Sequence, residues 1–552
     1  MPNDLIDILL AKRGVLTKEE RDNFLFPSYE AGMHDPHLMR DMEKSVVRVF
    51  EAIEAKEKVV IYSDYDCDGI PGAVILSDLF DKCGFTNYEV YIPDRHDEGY
   101  GLHEEAVKKF VADGVNLIIT IDLGVSAKDE VLFAQSNGVD VIVTDHHLPG
   151  DNTSEPFAML NPKTDNYPYD MLCGSGVIFK FVQGFLFKYR EYFNINDGWE
   201  KWLLDMAGLA TLSDMVPLLG ENRVIAYFGL KVLRKSKRPG LRELFKIVGV
   251  KQSSATEDDI AFSITPKINA ASRLDSPRVA FDLLKTKDDK EGRLLAQKLG
   301  NINEERKNLV ALTMKEAKKK IKERDFDEAI VIGDVSWRPG ILGLVATRVM
   351  EEEKKPVFVW GGDGEGSIKG SCRSNSFGVV DIMSFAKDHL TEYGGHHGAG
   401  GFSTTKELVL ELPVAINMAI KKIKEDTSSH EVLEATELHD AITDLSKVER
   451  KTYDLLNSLS PFGHENPKPV LLFLSATLSD VKHFGKSKEH LEIKIVDDFG
   501  ESSAIAFFKT KDSYPFSLEK GKKIDLFATI EMSNFRGRED LRLRIVEIRE
   551  AK

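Results

Sequence analysis

Acidic side chains and a histidine pair recur directly after apolar segments in the first half of this sequence. They are Asp64, Asp66 and Asp68 in SDYDCDG, Asp122 in ITIDLG, His146 and His147 in VTDHHLPG, and Asp214 in LSDMVPL. Alternate residues of an extended turn point to the same side, so the first three carboxylates can share one face. Carboxylates held that close repel each other unless they are protonated or bound to cations. The spacing therefore predicts a cation site.

The types of side chain in this set narrow the choice of ion. Hard oxygen ligands favour Mg²⁺ or Mn²⁺, and an added imidazole shifts the preference toward Mn²⁺. A calcium loop is an alternative for DxDxDG, but the apolar residues VIL follow where an EF-hand continues toward a glutamate. A single aspartate after a strand is commonly a helix cap. The combination of four such turns favours metal binding over four separate caps.

Each of the first three turns is preceded by an apolar segment that reads as a buried strand. These segments are KVVIYS, VNLIITI and VDVIVT, and helical patterns lie between them. Strands that alternate with helices predict a parallel α/β sheet. Ligands of such sheets bind at the carboxyl ends of the strands. We therefore expect the acidic turns to meet at one edge of the sheet.

The remaining pattern predicts an α/β multidomain protein. A parallel-sheet domain is expected to be followed by a long helix free of proline, a second α/β domain, and a small antiparallel barrel of short alternating strands. The predicted boundaries are 1–50 for a helical leader, 51–285 for the parallel-sheet domain and 286–326 for the connecting helix. The second α/β domain is predicted over 327–430 and the barrel over 431–552.

Composition excludes several classes of protein. The chain has 552 residues and a net charge of −16, which speaks against a protein that coats DNA without specificity but allows a local basic channel. No segment approaches the roughly 20 apolar residues of a membrane span, and the N-terminus does not resemble a secretory signal. The four cysteines form no CxxC pair, which argues against a zinc ribbon and suits a cytoplasmic location.

The order of the four acidic motifs resembles that of the DHH phosphoesterase superfamily, which is named for the triplet Asp145-His146-His147. Further segments resemble the RecJ family of exonucleases within it: IPDRHDEGYGLH, INAASRLD, KGSCRSNSFG, YGGHHGAGG, SPFGHENPKPV and NFRGREDLRLRIVEIR. The resemblance covers nearly the whole chain. Four positions depart from the pattern: Ser63 and Cys67 stand where glycine or alanine is usual, Ser272 replaces a glycine, and Arg338 replaces a common histidine, which puts any role of that histidine in doubt.

The resemblance implies a metal-dependent active site with two ions, Mn²⁺ or Mg²⁺. The implied metal ligands are Asp64, Asp66, Asp68, Asp122, His146 and Asp214. Asp122 and His147 are the implied catalytic residues, with Asp122 bridging the ions and His147 facing the scissile phosphate or orienting a ligand.

The resemblance also implies contacts with the substrate. Ser371 and Arg373 resemble a phosphate-binding loop, and His396 lies in a glycine-rich loop that the family uses for substrate. Arg95 and Arg273 are weaker candidates for phosphate contact. The barrel resembles an OB-fold for single strands, with Phe535 and Arg536 as candidate contacts. Phe507 and Phe508 are expected to belong partly to the barrel core.

The implied function is 5′→3′ degradation of single-stranded DNA in repair and recombination. A helicase and a single-strand-binding protein are the expected partners of a monomeric enzyme that does not bind membranes. Two alternatives stay open: hydrolysis of short oligoribonucleotides or a phosphorylated nucleotide, and a non-catalytic replication scaffold. The barrel argues against the first alternative, and the complete set of metal ligands argues against the second.

Overall fold

The computed structural model describes residues 2–150, 152–164, 166–362, 364, 366–426, 438–485, 487–535 and 538–551. The chain divides into two compact units. The larger comprises Asp35–Asp214 and Gly229–Val432, and the smaller comprises Met1–His34, Met215–Phe228 and Leu433–Lys552.

The larger unit begins with a five-stranded parallel sheet. Its strands are β1 (Val59–Ser63), β2 (Tyr88–Tyr91), β3 (Leu117–Ile121), β4 (Asp140–Thr144) and β5 (Ala158–Leu160), in the order β2-β1-β3-β4-β5. Residue Leu117 of β3 lies between Val59 of β1 and Asp140 of β4. Strands β1 and β3 are buried along their full length because helices cover both faces. The predicted parallel sheet is confirmed.

Helices surround this sheet and connect its strands. Their bounds are Met42–Ala55, Gly69–Lys82, Glu104–Ala112, Lys128–Ser136 and Gly174–Tyr189. Helices Glu104–Ala112 and Lys128–Ser136 pack their apolar faces on the sheet through Val107, Phe110, Val131 and Ala134. Helix Gly69–Lys82 begins at the end of the acidic turn after β1, so the turn is held between a buried strand and a buried helix.

A helical region and one long helix follow. The helices are Leu204–Thr211, Gly220–Leu233, Pro239–Val248, Glu257–Asp259, Thr265–Leu274, Arg278–Lys285 and Asp289–Lys322, with a π-helical turn at Ile260–Ile264. The side chain of Asp288 caps the long helix Asp289–Lys322 by accepting hydrogen bonds from the backbone N–H groups of Lys290 and Glu291. Lysines fill its last turn, where the helix dipole favours cations. The predicted long connecting helix is confirmed.

A second sheet completes the larger unit. It contains β6 (Ile330–Asp334), β7 (Val357–Gly362), β8 (Ile368–Arg373), β9 (Glu392–His396) and β10 (Ala399–Thr404), in the order β6-β7-β8-β10-β9. Strands β6 and β7 are parallel, and the other neighbours are antiparallel. Helices Pro339–Glu353, Val379–Phe385 and Leu412–Asp426 accompany this sheet. This is the predicted second α/β domain.

The smaller unit is built on a closed barrel. Its strands are β11 (Ala441–Thr443), β12 (Leu471–Phe484), β13 (His490–Asp497), β14 (Gly500–Ala506), β15 (Lys523–Phe535) and β16 (Arg538–Glu550). Pairing of β12 with both β13 and β15 closes a five-stranded ring that continues through β14 and β16. The ring is antiparallel except where β14 meets β16. The predicted C-terminal barrel is confirmed.

Helices from both ends of the chain pack against this barrel. They are Pro2–Ala11, Lys18–Leu25 and Arg450–Asn457. The short helix Tyr29–Gly32 packs instead on helix Gly220–Leu233, through Tyr29 and Phe228. Ile6, Leu9, Leu10 and Phe24 share one apolar core with the barrel strands. The first helices thus belong to the smaller unit, whereas helix Met42–Ala55 belongs to the larger one. The predicted domain boundaries, including the leader over 1–50, stay a prediction.

Among the residues that the structure describes, no helix is both long and apolar enough to cross a bilayer. All four cysteines are free thiols, and three of them are buried.

Candidate active site

The acidic turns meet at the carboxyl edge of the parallel sheet, as predicted. Three overlapping groups of side chains have ligand atoms within 4.8 Å of one another: Asp64, Asp66 and Asp122; Asp122, His146 and His147; and Asp68, His146 and Asp214. Every metal ligand predicted from the sequence is in at least one group. Asp122 and His146 each belong to two groups, so they connect the three groups into one metal-capable cluster.

Backbone amides hold the carboxylates of the first turn. The N–H groups of Asp68 and Gly69 donate to Oδ1 of Asp66 at 2.7 and 3.3 Å. The N–H groups of Gly174 and Ser175, at the start of helix Gly174–Tyr189, donate to the two carboxylate oxygens of Asp68 at 2.6 and 2.7 Å. Because a helix N-terminus stabilises negative charge, it holds the Asp68 carboxylate in place.

Asp122 has an unusual backbone conformation. Its φ is 63°, in the left-handed region that few residues other than glycine adopt, and its N–H donates to the carbonyl oxygen of Thr144 at 2.9 Å. Gly174 lies against it: a Cβ atom at this position would be 2.6 Å from the Cβ of Asp122 and 2.8 Å from its Oδ1. The glycine is therefore required for Asp122 to occupy the centre of the cluster.

His146 presents one ring nitrogen to three carboxylates. Its Nε2 lies 3.1 Å from Oδ1 of Asp122, 3.8 Å from Oδ2 of Asp68 and 3.7 Å from Oδ2 of Asp214. Burial, together with the charge of His147, lowers the pKa of His146 to about 3. The imidazole is thus neutral at physiological pH, which is the form that coordinates metals.

The chemistry of the cluster fits divalent cations. Oδ1 of Asp64, Oδ1 of Asp122 and Oδ2 of Asp214 are buried without a hydrogen-bond partner among the described residues. Burial and the neighbouring carboxylates raise the pKa of Asp64, Asp122 and Asp214 well above the ordinary range, and they raise the pKa of Asp68 to about 6. Buried anions without partners are costly, and cations at this position would supply the missing contacts.

His147 is oriented by Asp145, a residue that is not among the predicted site residues. Its Nδ1 lies 2.7 Å from Oδ1 of Asp145, whose other oxygen accepts the N–H of Val125 at 2.9 Å. Burial alone would raise the pKa of Asp145, but the hydrogen bond and charge of His147 outweigh it and lower that pKa. The hydroxyl of Tyr100 lies 3.2 Å from the same Nδ1. The sequence offered one signal for Asp145, its place in the DHH triplet.

The second sheet contributes His396 to the same site; the expectation that this residue lies in a loop is wrong, because it ends strand β9 and pairs with Ala399 of β10. The rings of His147 and His396 stack with centroids 6.2 Å apart and an interplanar angle of 12°. Both line a cleft of about 690 Å³, with Tyr100, Gly124 and Ser126 on its walls. The predicted substrate residue His396 therefore faces the metal-capable cluster.

The predicted phosphate contacts are cations with no carboxylate partner. Among the described residues, Arg95, Arg273 and Arg373 form no ion pair; Arg373 donates to the carbonyl oxygen of Cys372 at 2.7 Å, and Arg95 lies 4.8 Å from the centre of the Tyr65 ring. Burial, followed by the charge of Arg95, lowers the pKa of Arg273. Ser371 and Arg373 lie on strand β8, so the expected loop is a paired strand instead. An anion such as phosphate would balance these charges.

Other predicted residues do not join the site. Arg338, which replaces a common histidine, is exposed and lies 3.3 Å from Glu305. The side chain of Phe535 and all of Arg536 lie outside the described residues. The expectation that Phe507 and Phe508 belong partly to the barrel core is wrong, because they are 37% and 82% exposed. They sit with Phe484 and His490 in an aromatic cluster on the barrel surface.

Fold and cluster together define a DHH phosphoesterase. The model of the DHH family, N-terminal domain, matches residues 58–211, which hold the cluster apart from Asp214. The DHHA1 domain model matches residues 327–425, and the RecJ OB domain model matches residues 439–547.

Relatives define the family more narrowly. The chain is 33% identical to the single-stranded-DNA-specific exonuclease RecJ of Bacillus subtilis, over 98% of this chain and 67% of that protein. It is 29% identical to RecJ of Haemophilus influenzae, over 98% and 95%. A crystal structure of Thermus thermophilus RecJ in complex with Mn²⁺ superposes with a TM-score of 0.80 at 25% identity, over 99% of this chain and 76% of that one. The chain belongs to the RecJ family and is an exonuclease.

Proposed function

We propose that this protein degrades single-stranded DNA from the 5′ end, releasing mononucleotides, and that it does so in DNA repair and recombination in the cytoplasm. The observation that carries the proposal is the cluster around Asp122, with buried carboxylate oxygens that accept no hydrogen bond among the described residues. The names of the relatives, single-stranded-DNA-specific exonucleases, support the substrate.

Two divalent cations, Mn²⁺ or Mg²⁺, are the proposed cofactors. Asp64, Asp66 and Asp122 would hold one, and Asp68, His146 and Asp214 the other, with Asp122 close to both groups. Solved Thermus RecJ structures contain Mn²⁺ or Mg²⁺, which supports this choice. When bound, such ions lower the pKa of water and stabilise charge on phosphate oxygens.

The protein side chains position the strand for this chemistry. Because Asp145 engages Nδ1 of His147, the Nε2 atom of that ring remains available for the scissile phosphate. His396 stacks on His147 and would contact the same nucleotide from the second sheet. Ser371 and Arg373, with Arg95 and Arg273, would bind the terminal phosphate. A terminal phosphate bound by these residues would direct cleavage to the end of the strand, as in an exonuclease rather than an endonuclease.

The barrel would hold the strand farther from its end. Phe484, Phe507 and Phe508 surround His490, and the guanidinium of Arg544 lies 4.1 Å from the centre of the Phe507 ring. Exposed aromatic rings beside a cation bind single strands by stacking and phosphate contact, without strong sequence preference. Phe535 and Arg536 remain predicted contacts.

The test is a comparison of Asp122→Ala with Asp129→Ala, which removes an exposed carboxylate from the same domain. Cleavage of labelled single-stranded DNA is measured with Mn²⁺, with Mg²⁺ and with EDTA. We expect Asp122→Ala to lose several orders of magnitude in rate and Asp129→Ala to match the unmodified protein. Full activity in EDTA or in Asp122→Ala would overturn the proposed site.

The two alternative functions predict different results in the same assay. A non-catalytic scaffold would bind DNA but release no nucleotide with either ion. A hydrolase of short oligoribonucleotides would cleave dinucleotides faster than long strands. The complete cluster disfavours the first, and the aromatic surface of the barrel disfavours the second.

A helicase and a single-strand-binding protein remain the proposed partners, because an enzyme specific for single strands needs duplex DNA opened before it can act. A monomer is the proposed state of the enzyme.

A further inference from the structure

A second cleft lies in the larger unit, away from the metal-capable cluster. It has a volume of about 710 Å³, within the range of roughly 300–1,000 Å³ for small-molecule sites. Helix Gly69–Lys82 starts at the acidic turn and ends at the cleft, where Asp78, Asp81 and Lys82 line the wall. At about 1.5 Å per residue, the helix separates the two places by roughly 15–20 Å. The cleft therefore does not belong to the active site.

Two of the four tryptophans of the chain line this cleft. Trp199 and Trp202 lie on the 3₁₀-helix Trp199–Leu203, whose three residues per turn place them on the same side. Trp202 is 53% exposed, and among the described residues it stacks on no other ring. A large apolar ring left in water next to a cleft is a feature of binding sites.

The cleft is cationic, although the whole protein carries a charge of −16. Its lining includes five cationic side chains and three acidic ones. The acidic ones are neutralised within the wall: Arg238 binds Asp78 at 2.7 Å and Asp205 at 2.9 Å, and Lys285 binds Asp81 at 3.0 Å. The surplus positive charge is thus available to a ligand.

Lys82 and Lys237 carry this surplus. Both are exposed, and neither forms an ion pair with any other residue in the part of the chain that the structure describes. Flexible ammonium groups beside a rigid, ion-paired wall suit the binding of a phosphate by charge. The two indoles beside them suit the stacking of a planar ring.

We propose that this cleft binds a nucleoside phosphate, with the base against Trp202 and the phosphate at Lys82 and Lys237. The ligand has two possible sources with the same chemistry. One is a free mononucleotide, and the other is a nucleotide within a single strand. An acidic peptide would satisfy the lysines but would leave the indoles without a planar partner, so a nucleotide fits the cleft better.

Intrinsic tryptophan fluorescence tests this site in the full-length protein. Thymidine 5′-monophosphate and, separately, a short oligothymidylate are titrated in EDTA, which prevents hydrolysis. We expect saturable quenching that Trp202→Ala abolishes, while binding of the same ligand measured by calorimetry weakens about tenfold or more. Phe187→Ala, which removes an 82% exposed ring from elsewhere in the unit, is the matched control and should change neither result.

Charge variants separate the phosphate contact from stacking. Lys237→Glu should weaken the binding of the ligand that quenches fluorescence about tenfold or more. Lys315→Glu changes an exposed lysine on the long helix and should leave that binding unchanged. Quenching by the mononucleotide identifies a free nucleotide as the ligand, and quenching by the oligonucleotide alone identifies a strand. Absence of quenching by both, or equal quenching in Trp202→Ala, overturns the proposal. If polyglutamate quenches the tryptophan fluorescence and the nucleotides do not, the cleft binds an acidic protein partner. That result also overturns the proposal.

The outcome is independent of the proposed nuclease function. Asp122→Ala and Arg373→Ala alter the nuclease site and should leave the quenching unchanged. Loss of quenching in these variants would mean that the signal comes from the nuclease site rather than from the second cleft.

Discussion

The ring nitrogen Nδ1 of His147 lies 2.7 Å from Oδ1 of Asp145, and the backbone N–H groups of His146 and His147 donate to that same oxygen at 2.7 and 3.1 Å. One buried carboxylate therefore fixes both histidines of the triplet. Asp145 belongs to none of the metal-capable groups, so its role is to position the residues that do.

We expect Asp145→Asn to lower the rate of cleavage by about 10- to 100-fold, because the amide presents a donor where the histidine ring already donates. The measurement is the turnover of labelled single-stranded DNA at saturating Mn²⁺. Asp129→Asn, at an exposed position in the same domain, serves as the control. Unchanged turnover in Asp145→Asn would show that the orientation of His147 is not needed.

Gly174→Ala should impair the site without altering any ligand. Its new Cβ would meet Asp122 at 2.6 Å, so the aspartate must shift away from the cluster. We expect a loss of at least about 100-fold in activity, comparable with the cost of misplacing a reacting group by an ångström. Gly176→Ala is matched to it, because a Cβ two residues later on the same helix meets nothing closer than 3.6 Å. Equal activity of the two variants would contradict the tight fit at Asp122.

His396→Ala should separate substrate contact from metal binding. The ring stacks on His147 but is in no metal-capable group. We expect cleavage to slow by about 10- to 100-fold, a typical effect of a group that assists the reacting phosphate, while the rise in Tm on adding Mn²⁺ is retained. His397→Ala changes the adjacent residue and should behave like the unmodified protein. If the Tm of His396→Ala no longer rose with Mn²⁺, His396 would be a metal ligand instead.

Asp122→Asn should lower activity by several orders of magnitude without lowering the stability of the metal-free protein. Asparagine tolerates a positive φ, and it removes one of several buried charges that repel each other. In EDTA we therefore expect a Tm equal to or above that of the unmodified protein. The Tm rise with Mn²⁺ should be lost. A Tm several degrees lower in EDTA would show that Asp122 stabilises the fold by itself.

The response to Mn²⁺ should also depend on pH. A carboxylate whose folded-state pKa is raised keeps its proton up to a higher pH, and a metal must displace that proton. The pKa of Asp68 is about 6, so the Tm rise caused by Mn²⁺ should shrink as the pH falls from about 7 to about 5. Differential scanning calorimetry with and without Mn²⁺ at each pH measures this. A response that does not change over this range would contradict metal binding by carboxylates whose pKa is raised.

Much of the fold and the metal-capable cluster could be predicted from the sequence, because apolar strands followed by acidic turns specify which edge of a parallel sheet the ligands share. The contribution of Asp145 could not, because a residue next to two histidines reveals nothing about which ring it orients. The requirement for glycine at position 174 could not be predicted either, because it depends on contact with Asp122, 52 positions earlier in the chain. Phe508 lies beyond the end of β14 with a φ of 55°, and a run of apolar residues does not reveal where the strand ends.

Digestion of end-labelled DNA shows from which end the enzyme degrades a single strand. A single strand labelled at its 5′ terminus and the same strand labelled at its 3′ terminus are incubated with the enzyme and Mn²⁺. We expect the 5′ label to be released at once as a mononucleotide, while the 3′ label stays on progressively shorter strands. Release that begins at the 3′ label, or internal cuts before either label is released, would contradict this expectation.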